Sequence, residues 1–398
     1  MIEAKLHLDW RGNNLLHFLG STKALPVIII GDGIAGCATA LALASLGNNI
    51  SLLVLDDADP GSFKIGESLP AEARRILPYL HPNVLSQLEQ DTFDGIHTKC
   101  TGTASAWGSS ELQESFTIMN PFGSSWHLDR AGFDESLRSI VKSVCEKNKN
   151  NKLEKIKFTG VEKSKERWTV FAKDPGVEQQ YQAKWLVDAS GRKASLGRAI
   201  IKNDSLFATY AFFTSLTTDS DHRTLIESTE TGWWYTSQLS NQTRVVVYHT
   251  DNRNPSSKQA RKWGGFLDLL HGNTQHISDL LSGNDYQPVL DGNFPRGTPA
   301  CSSYLEPPGD ENQCWIAVGD AAMAFDPLSS QGMITAMKMG LVVARTISRN
   351  LKTEPQEVKD VTPSFKETFA SVISDYERKK KYFYSQTQFS GEFWKKRS

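Results

Sequence analysis

Residues 24–56 constrain the fold of this 398-residue chain most tightly. Ala24 to Ile30 is a short apolar run rich in Val and Ile, the pattern of a parallel strand buried on both faces. Gly31-Asp32-Gly33-Ile34-Ala35-Gly36 follows at once, and then an Ala- and Leu-rich stretch from Cys37 to Leu46 that reads as a buried helix stopping at Gly47. Ile50 to Leu55 reads as a second strand, closed by Asp56 and Asp57. Each glycine answers a separate physical need. Gly31 makes the tight turn out of the strand, Gly33 lets the backbone approach a pyrophosphate, and Gly36 lets helix pack on strand. The helix N-terminus then offers free N–H groups and a positive dipole end to the phosphates. An acid at the end of the second strand is placed for ribose hydroxyls. Glycine turns without a ligand are common, so the triplet alone says little. Strand, glycines, helix, strand and acid in that order specify a dinucleotide-binding β-α-β unit.

The rest of the chain narrows the class. Hydrophobic residues at 39% and charged residues at 22% suit a globular enzyme, and a formal net charge of −1 gives no bulk attraction to nucleic acid or anionic membrane. Cys37, Cys100, Cys145, Cys301 and Cys314 are odd in number and dispersed, which argues against a disulfide framework and a zinc site. The histidines show no metal-ligand spacing, so no metal is expected. No apolar run reaches the roughly 18–20 residues of a membrane-spanning helix. Met1 to Asn14 lacks the pattern of a signal peptide, so a reduced, cytoplasmic protein is expected. A Leu-Leu-His-Phe-Leu segment before the first strand could form a short helix. Arg130 to Val144 carries apolar residues at helical spacing, Glu146 to Lys152 reads as a surface loop, and Phe158 to Lys163 with Trp168 to Lys173 suggests a hairpin. Leu206 to Asp251 is strand-like, Cys314 to Val318 is another apolar strand, and Gly332 to Asn350 is a long helix. The basic run Arg378-Lys379-Lys380-Lys381 in the tail reads as a solvated helix face.

Two later motifs separate the possible dinucleotides. Trp185 to Arg192 reads W-L-V-D-A-S-G-R, a strand running into an Asp and a Gly. Trp315 to Met333 reads W-I-A-V-G-D-A-A-M-A-F-D-P-L-S-S-Q-G-M. Here an apolar strand delivers Gly319-Asp320, whose carboxylate can accept from sugar-like hydroxyls. A Pro-containing loop then leads to Gly332 at a helix start, where N–H groups can face a charged ring edge. With the N-terminal glycines, these motifs resemble the flavin-dependent aromatic hydroxylase and halogenase superfamily over roughly residues 24 to 345. That resemblance implies one FAD bound across all three motifs and no second Rossmann domain, and the chain shows no second glycine fingerprint. It implies an α/β fold: a Rossmann-like FAD-binding domain from segments 24–100, 126–205 and 301–350, a β-rich substrate domain from 101–125 and 206–300, and a helical tail at 351–398. It assigns Gly31, Gly33, Ile34, Ala35, Gly36, Asp56 and Asp57 to the ADP half, and Ser68, Arg130, Gly191, Gly319, Asp320, Pro327, Gly332 and Met333 to the remainder of the cofactor. The plain alternative for Arg130 is a helix-surface arginine.

Within the superfamily, Lys64-Ile65-Gly66-Glu67-Ser68-Leu69-Pro70 is similar to the G-E-S motif of the halogenase branch. The halogenating machinery departs from that pattern. The lysine expected shortly after G-E-S is missing from Ala71 to Gln90, which offers Arg74 and Arg75. An arginine does not exchange protons as a lysine does. Ser329 stands where tryptophan halogenases carry a glutamate, and Trp233-Trp234-Tyr235-Thr236-Ser237-Gln238 replaces W-x-W-x-I-P. The G-E-S-L-P-A-E, Ser105-Ala106-Trp107-Gly108 and G-W-W-Y segments together resemble the bacterial flavoproteins that mature cysteine tryptophylquinone. The implied activity is FAD-dependent monooxygenation of a tryptophan in a partner protein, the precursor of a quinone-cofactor oxidase. Its co-reactants are O2 and reduced nicotinamide or a separate flavin reductase. Glu67 is the candidate polar group beside flavin or substrate, with a helix cap or salt bridge as the plain alternative. Trp107, Trp233, Trp234 and Tyr235 are candidate substrate-facing aromatics, with sheet packing as theirs. Two other functions remain open: a monooxygenase or halogenase of a small phenol or indole, and a non-catalytic FAD-binding escort of a partner.

Overall fold

The structure, a computed structural model, describes residues 7–8, 14–15, 24–46, 52–56, 64–174, 177–197, 199–351 and 363–398. Its first large sheet has eight strands. The strand Ala24–Ile30 lies between Leu52–Asp56 and the end of Val177–Asp188, parallel to both. Trp315–Ala317 adds in parallel beside Asp188, and Lys152–Lys155 adds beside Leu52–Asp56. Successive side chains of the first strand serve opposite layers. Val27 and Ile29 pack under helices, while Ile28 and Ile30 pack with Val170 and Ala172 of the antiparallel hairpin Lys157–Lys163 and Trp168–Asp174. An all-apolar run is the sequence that two covered faces require.

Helix α1 (Ile34–Leu46) lies on this sheet against the later helix α3 (Gly332–Leu351), while α2 (Arg130–Lys147) flanks α1. A side chain at Gly340 of α3 would meet Ala38 and Thr39 of α1 at 3.0 Å, so small residues set the approach of these two helices. Helix α2 begins on a capped Asp129, whose carboxylate accepts the Gly132 N–H at 2.8 Å.

The second large sheet, also of eight strands, runs in the order Gln287–Pro288, Leu206–Thr214, Thr243–Asp251, Gly232–Gln238, Thr224–Thr229, Gly102–Ala106, Gln113–Phe116, with Arg296–Pro299 also paired to Leu206–Thr214. One face carries Trp234, Tyr248 and Phe213 beneath helices Trp263–Asn273 and His276–Gly283. These helices follow the strand-like stretch Leu206 to Asp251, within the region 206–300 expected to be β-rich. The other face carries Trp233, Val247 and Ala208 and looks toward the first sheet.

Three local expectations are corrected. The loop expected over 146–152 is shorter, because α2 continues to Lys147 and a strand starts at Lys152. Leu15, expected in a short helix, pairs with His7 in an antiparallel bridge; residues 16–19 lie outside the described residues. Nor is the basic run in the tail wholly solvated. It lies on helix α4 (Phe365–Ser385), where the Arg378 and Lys379 side chains are 77% and 61% exposed but Lys380 is 8% exposed and ion-paired to Asp204. Among the described residues no helix is long and apolar enough to cross a membrane, and no group of His, Cys, Asp and Glu is arranged to hold a metal.

Candidate active site

The glycine turn has the geometry its residues require. Gly31 sits at φ +104°, and a Cβ there would lie 2.4 Å from the Ala189 carbonyl oxygen. A Cβ on Gly36 would lie 1.9 Å from the Gly31 carbonyl oxygen. Gly33 differs, because a Cβ on it would meet nothing within 4 Å. It opens onto a cavity of about 460 Å³, also lined by Ile34 and Ala35 at the N-terminus of α1. A cradle of this form, open beside the N–H groups of a helix start, fits a pyrophosphate.

Opposite the turn, a Cβ on Gly319 (φ +64°) would lie 2.6 Å from the Ala35 Cβ, and Asp320 lines the cavity with its carboxylate 3.4 Å from Arg192. Asp188, in the W-L-V-D-A-S-G-R motif, instead serves the turn: its carboxylate accepts the N–H groups of Ser190 and Leu196 at 3.1 and 2.7 Å. That turn brings Gly191 and Arg192 to the cavity wall. The loop Pro327–Ser329 and the start of α3 at Gly332 and Met333 complete this side.

Arg130, the first residue of α2, faces the cavity and is not a surface arginine. Its Nη1 donates to the Gly66 carbonyl at 2.8 Å and its Nη2 lies 3.3 Å from buried Asp134, while its buried Nε has no partner among the described residues. Lys64 reaches the same Asp134 carboxylate at 2.9 Å. Two cations thus share one anion, and the wall keeps an excess positive charge beside an unfilled donor. The open glycine cradle, this charge and the unpaired Nε together fit an FAD diphosphate and its electron-rich ring.

The second sheet supplies the far wall through Trp233, Tyr235, His249, Ala208 and Val247. The Trp233 and His249 rings stack at 3.7 Å with an interplanar angle of 11°. Burial pushes the His249 imidazole down to about 3, so it is neutral near neutral pH. Glu67 enters from the G-E-S segment and is 2% exposed. Its carboxylate accepts from the Tyr235 hydroxyl and from the Ser237 hydroxyl at 2.8 Å. Burial raises its pKa above the usual carboxylate value, against the lowering effect of Ser237 and of the backbone N–H groups. Glu67 is therefore a buried carboxyl at the cavity whose charged form burial disfavours, and among the described residues it is neither helix cap nor salt bridge.

The structure gathers Gly33, Ile34, Ala35, Glu67, Ser68, Arg130, Gly191, Gly319, Asp320, Pro327, Gly332, Met333, Trp233 and Tyr235 around one cavity. Gly31 and Gly36 stand behind the turn and shape it. Trp234 is a correction: strand alternation turns it to the opposite face, where it is fully buried and stacks on Tyr248 at 4.6 Å. Trp107 is another, since its ring packs edge-on against Trp233, Tyr384 and Trp394 and does not line the cavity. The side chain of Asp56, and all of Asp57, lie outside the described residues. Sequence reasoning missed Lys64, Asp134, His249 and Asp326. For Asp134 the signal was available, four residues after Arg130 on one helix face. His249 carried none, because it meets Trp233 through strand pairing.

A Rossmann sheet whose glycine turn, α2 arginine and late Pro-containing loop converge on an aromatic sheet face defines the flavin-dependent hydroxylase and halogenase superfamily. More narrowly, the chain is 30% identical over 369 residues to LodB, an FAD-dependent oxidoreductase of Marinomonas mediterranea, spanning 90% of this chain and 95% of that protein. It belongs to that family of FAD-dependent oxidoreductases; it is an enzyme, and its cofactor is FAD. Among solved structures it resembles CmlS, a flavin-dependent halogenase, with a TM-score of 0.77 and 21% identity over 94% of this chain and 68% of that one. It also resembles QhpG, a peptidyl tryptophan dihydroxylase essential for tryptophylquinone cofactor biogenesis, with a TM-score of 0.67 and 17% identity over 94% of this chain and 78% of that one. No family model matches the chain.

Proposed function

We propose that this enzyme is a monooxygenase that hydroxylates a tryptophan side chain of a partner protein during maturation of a tryptophylquinone cofactor. One observation carries the reading. Among the described residues, those that the second sheet contributes to the cavity are uncharged: Ala208, Thr224, Ile226, Trp233, Tyr235, Val247, Thr298, Pro299, and His249, which burial keeps neutral. The cations Lys64, Arg130 and Arg192 lie on the opposite, cofactor wall, beside Asp134 and Asp320. Free tryptophan would bring a carboxylate and an ammonium to a wall with no counter-charge for either. A tryptophan within a polypeptide brings neither, and its binding energy can come from a wide interface. The relationship to LodB and the fold shared with QhpG support this reading.

In this reading Gly33, Ile34 and Ala35 would hold the diphosphate, Arg130 and Asp320 would hold the cofactor farther along, and Gly332 and Met333 would face the flavin ring. When bound and reduced by nicotinamide or a flavin reductase, FAD would supply the activation of O2, one oxygen atom of which goes to the indole and the other to water. The protein's own part is to orient and to exclude water. Trp233 and His249 present a flat stacked surface for an indole, Tyr235 and Ser237 hold the Glu67 carboxyl, and Glu67 is the group that keeps a proton beside the substrate.

Lys64 favours a second reading, halogenation of a small phenol or indole, because it places an amine on the cavity wall. Its bond to Asp134 weakens that case. The test compares free tryptophan with the unmodified oxidase precursor under identical reducing conditions, following mass gains of one or two oxygen atoms. Oxygenation of the precursor is expected. Efficient oxygenation of the free amino acid with the precursor untouched overturns the proposal.

A further inference from the structure

Helix α4 begins on the first core and ends behind the cavity wall. Phe365, Phe369 and Tyr376 pack with the helices of the first sheet, whereas Tyr384 belongs to the aromatic cluster behind Trp233. Tyr384 is fully buried and bridges two walls of the cavity. Its hydroxyl donates to Asp326 Oδ2 at 2.8 Å and accepts the Trp233 Nε1–H at 3.1 Å. Asp326 is 1% exposed, and it opens the loop Pro327–Ser329 that leads to Gly332. The same carboxylate accepts the Leu328 N–H at 3.0 Å, and the Asp326 N–H donates to the Tyr376 hydroxyl at 2.9 Å. Two tyrosines of one helix thus hold the loop facing the flavin, and one of them also holds the indole of the opposite wall.

We propose that α4 is a working part of the flavin cavity, with Tyr384 the positioning residue that couples the loop at Asp326 to the Trp233 indole. The chain Trp233 N–H to Tyr384 O–H to Asp326 is polar, buried and continuous, so each bond orients the next. It has one direction only while Asp326 is ionised. A protonated Asp326 keeps one carbonyl acceptor but adds an O–H, so the Tyr384 O–H and the Leu328 N–H then compete for a single acceptor oxygen. The charged groups around the pair are Lys380 of α4, Asp204, and Arg397, whose guanidinium lies 5.9 Å from the Tyr384 ring. Burial raises the Asp326 pKa, Lys380 opposes this, and Asp204 adds to it. The coupled arrangement therefore belongs to the pH range above the Asp326 pKa. Trp107 brackets the same junction, donating its Nε1–H to the Phe383 carbonyl at 2.8 Å, which gives that residue a role the substrate surface does not.

The test uses the full chain and FAD binding, so its outcome is independent of the substrate reading. Tyr384→Phe keeps the ring among Trp107, Phe393 and Trp394 and removes only the hydroxyl. The expected result is FAD affinity about tenfold weaker by fluorescence titration, with a shifted visible spectrum of the bound flavin. Asp326→Asn keeps an acceptor for Tyr384 and abolishes the titration. The wild type is expected to lose FAD affinity in acidic buffer and that variant to show no such loss, and this arm stands even if Tyr384→Phe fails to fold. A Tyr384→Phe protein with a lower melting temperature but unchanged FAD affinity and flavin spectrum would reduce α4 to a structural brace and overturn the proposal. So would an Asp326→Asn protein that retains the wild-type pH dependence.

Discussion

A Cβ at Gly33 and one at Gly36, three residues apart, meet opposite surroundings. At Gly33 it enters open space within the cavity, while at Gly36 it strikes the Gly31 carbonyl oxygen at 1.9 Å. Gly33→Val should therefore fold with a near-wild-type melting temperature and bind no FAD, because the side chain fills the phosphate cradle. Gly36→Ala should lose roughly 3 kcal/mol or more, because backbone must move. A Gly33→Val protein that folds and keeps its FAD affinity would remove the assignment of the cradle. Two buried histidines predict the acid response. Burial lowers both His127 and His249 to about 3 from an ordinary value of 6.5. Both are depressed on folding, so their contribution is fully present above 6.5 and is lost as pH falls from 6.5 toward 3. Urea denaturation should show stability dropping by about 1.4 kcal/mol per pH unit for each of them. Flat stability across that window would contradict the buried, neutral assignment.

At the scale of elements, strands and helices with a single apolar signal were legible. The buried strand Ala24–Ile30, the helix from Arg130 and the helix from Gly332 follow from runs and spacings that local chemistry imposes. Helix α4 shows where spacing is insufficient, since four consecutive basic residues look alike in sequence. Only the packing of α4 against the segment before Leu206–Thr214 turns Lys380 inward to Asp204 while its neighbours face solvent. Burial alone would push the Asp204 carboxyl up, but the Lys380 ammonium and the Ser302 hydroxyl hold it below its usual value. Lys380→Met strands that carboxylate and should cost about 3–5 kcal/mol in chemical denaturation, while Lys379→Met should leave the midpoint where it is. Equal effects from the two would show that the ion pair contributes nothing.

For the whole molecule, the decisive feature is that a nucleotide sheet and an aromatic sheet face share one cavity. Supplied with reduced FAD, O2, bromide and either substrate, the enzyme is expected to give oxygenated and not brominated product. Mass spectra would show the bromine isotope doublet if Lys64, freed from Asp134, worked as a halogenase lysine. The sequence by itself determined the dinucleotide unit, the order of the three cofactor motifs and the buried strands, because a glycine turn, an apolar run and a helix start are specified by neighbouring residues. It could not say which of two adjacent tryptophans faces the cavity. Trp233 and Trp234 are chemically identical, and strand alternation sends one to each side only once the partners of that strand are fixed. Nor could it bring His249 under Trp233, Lys64 to Asp134 or Tyr384 to Asp326, separated by 16, 70 and 58 positions. Those pairings depend on strand register and on how α4 runs from the first core to the aromatic cluster of the second sheet, so tertiary structure alone decided them.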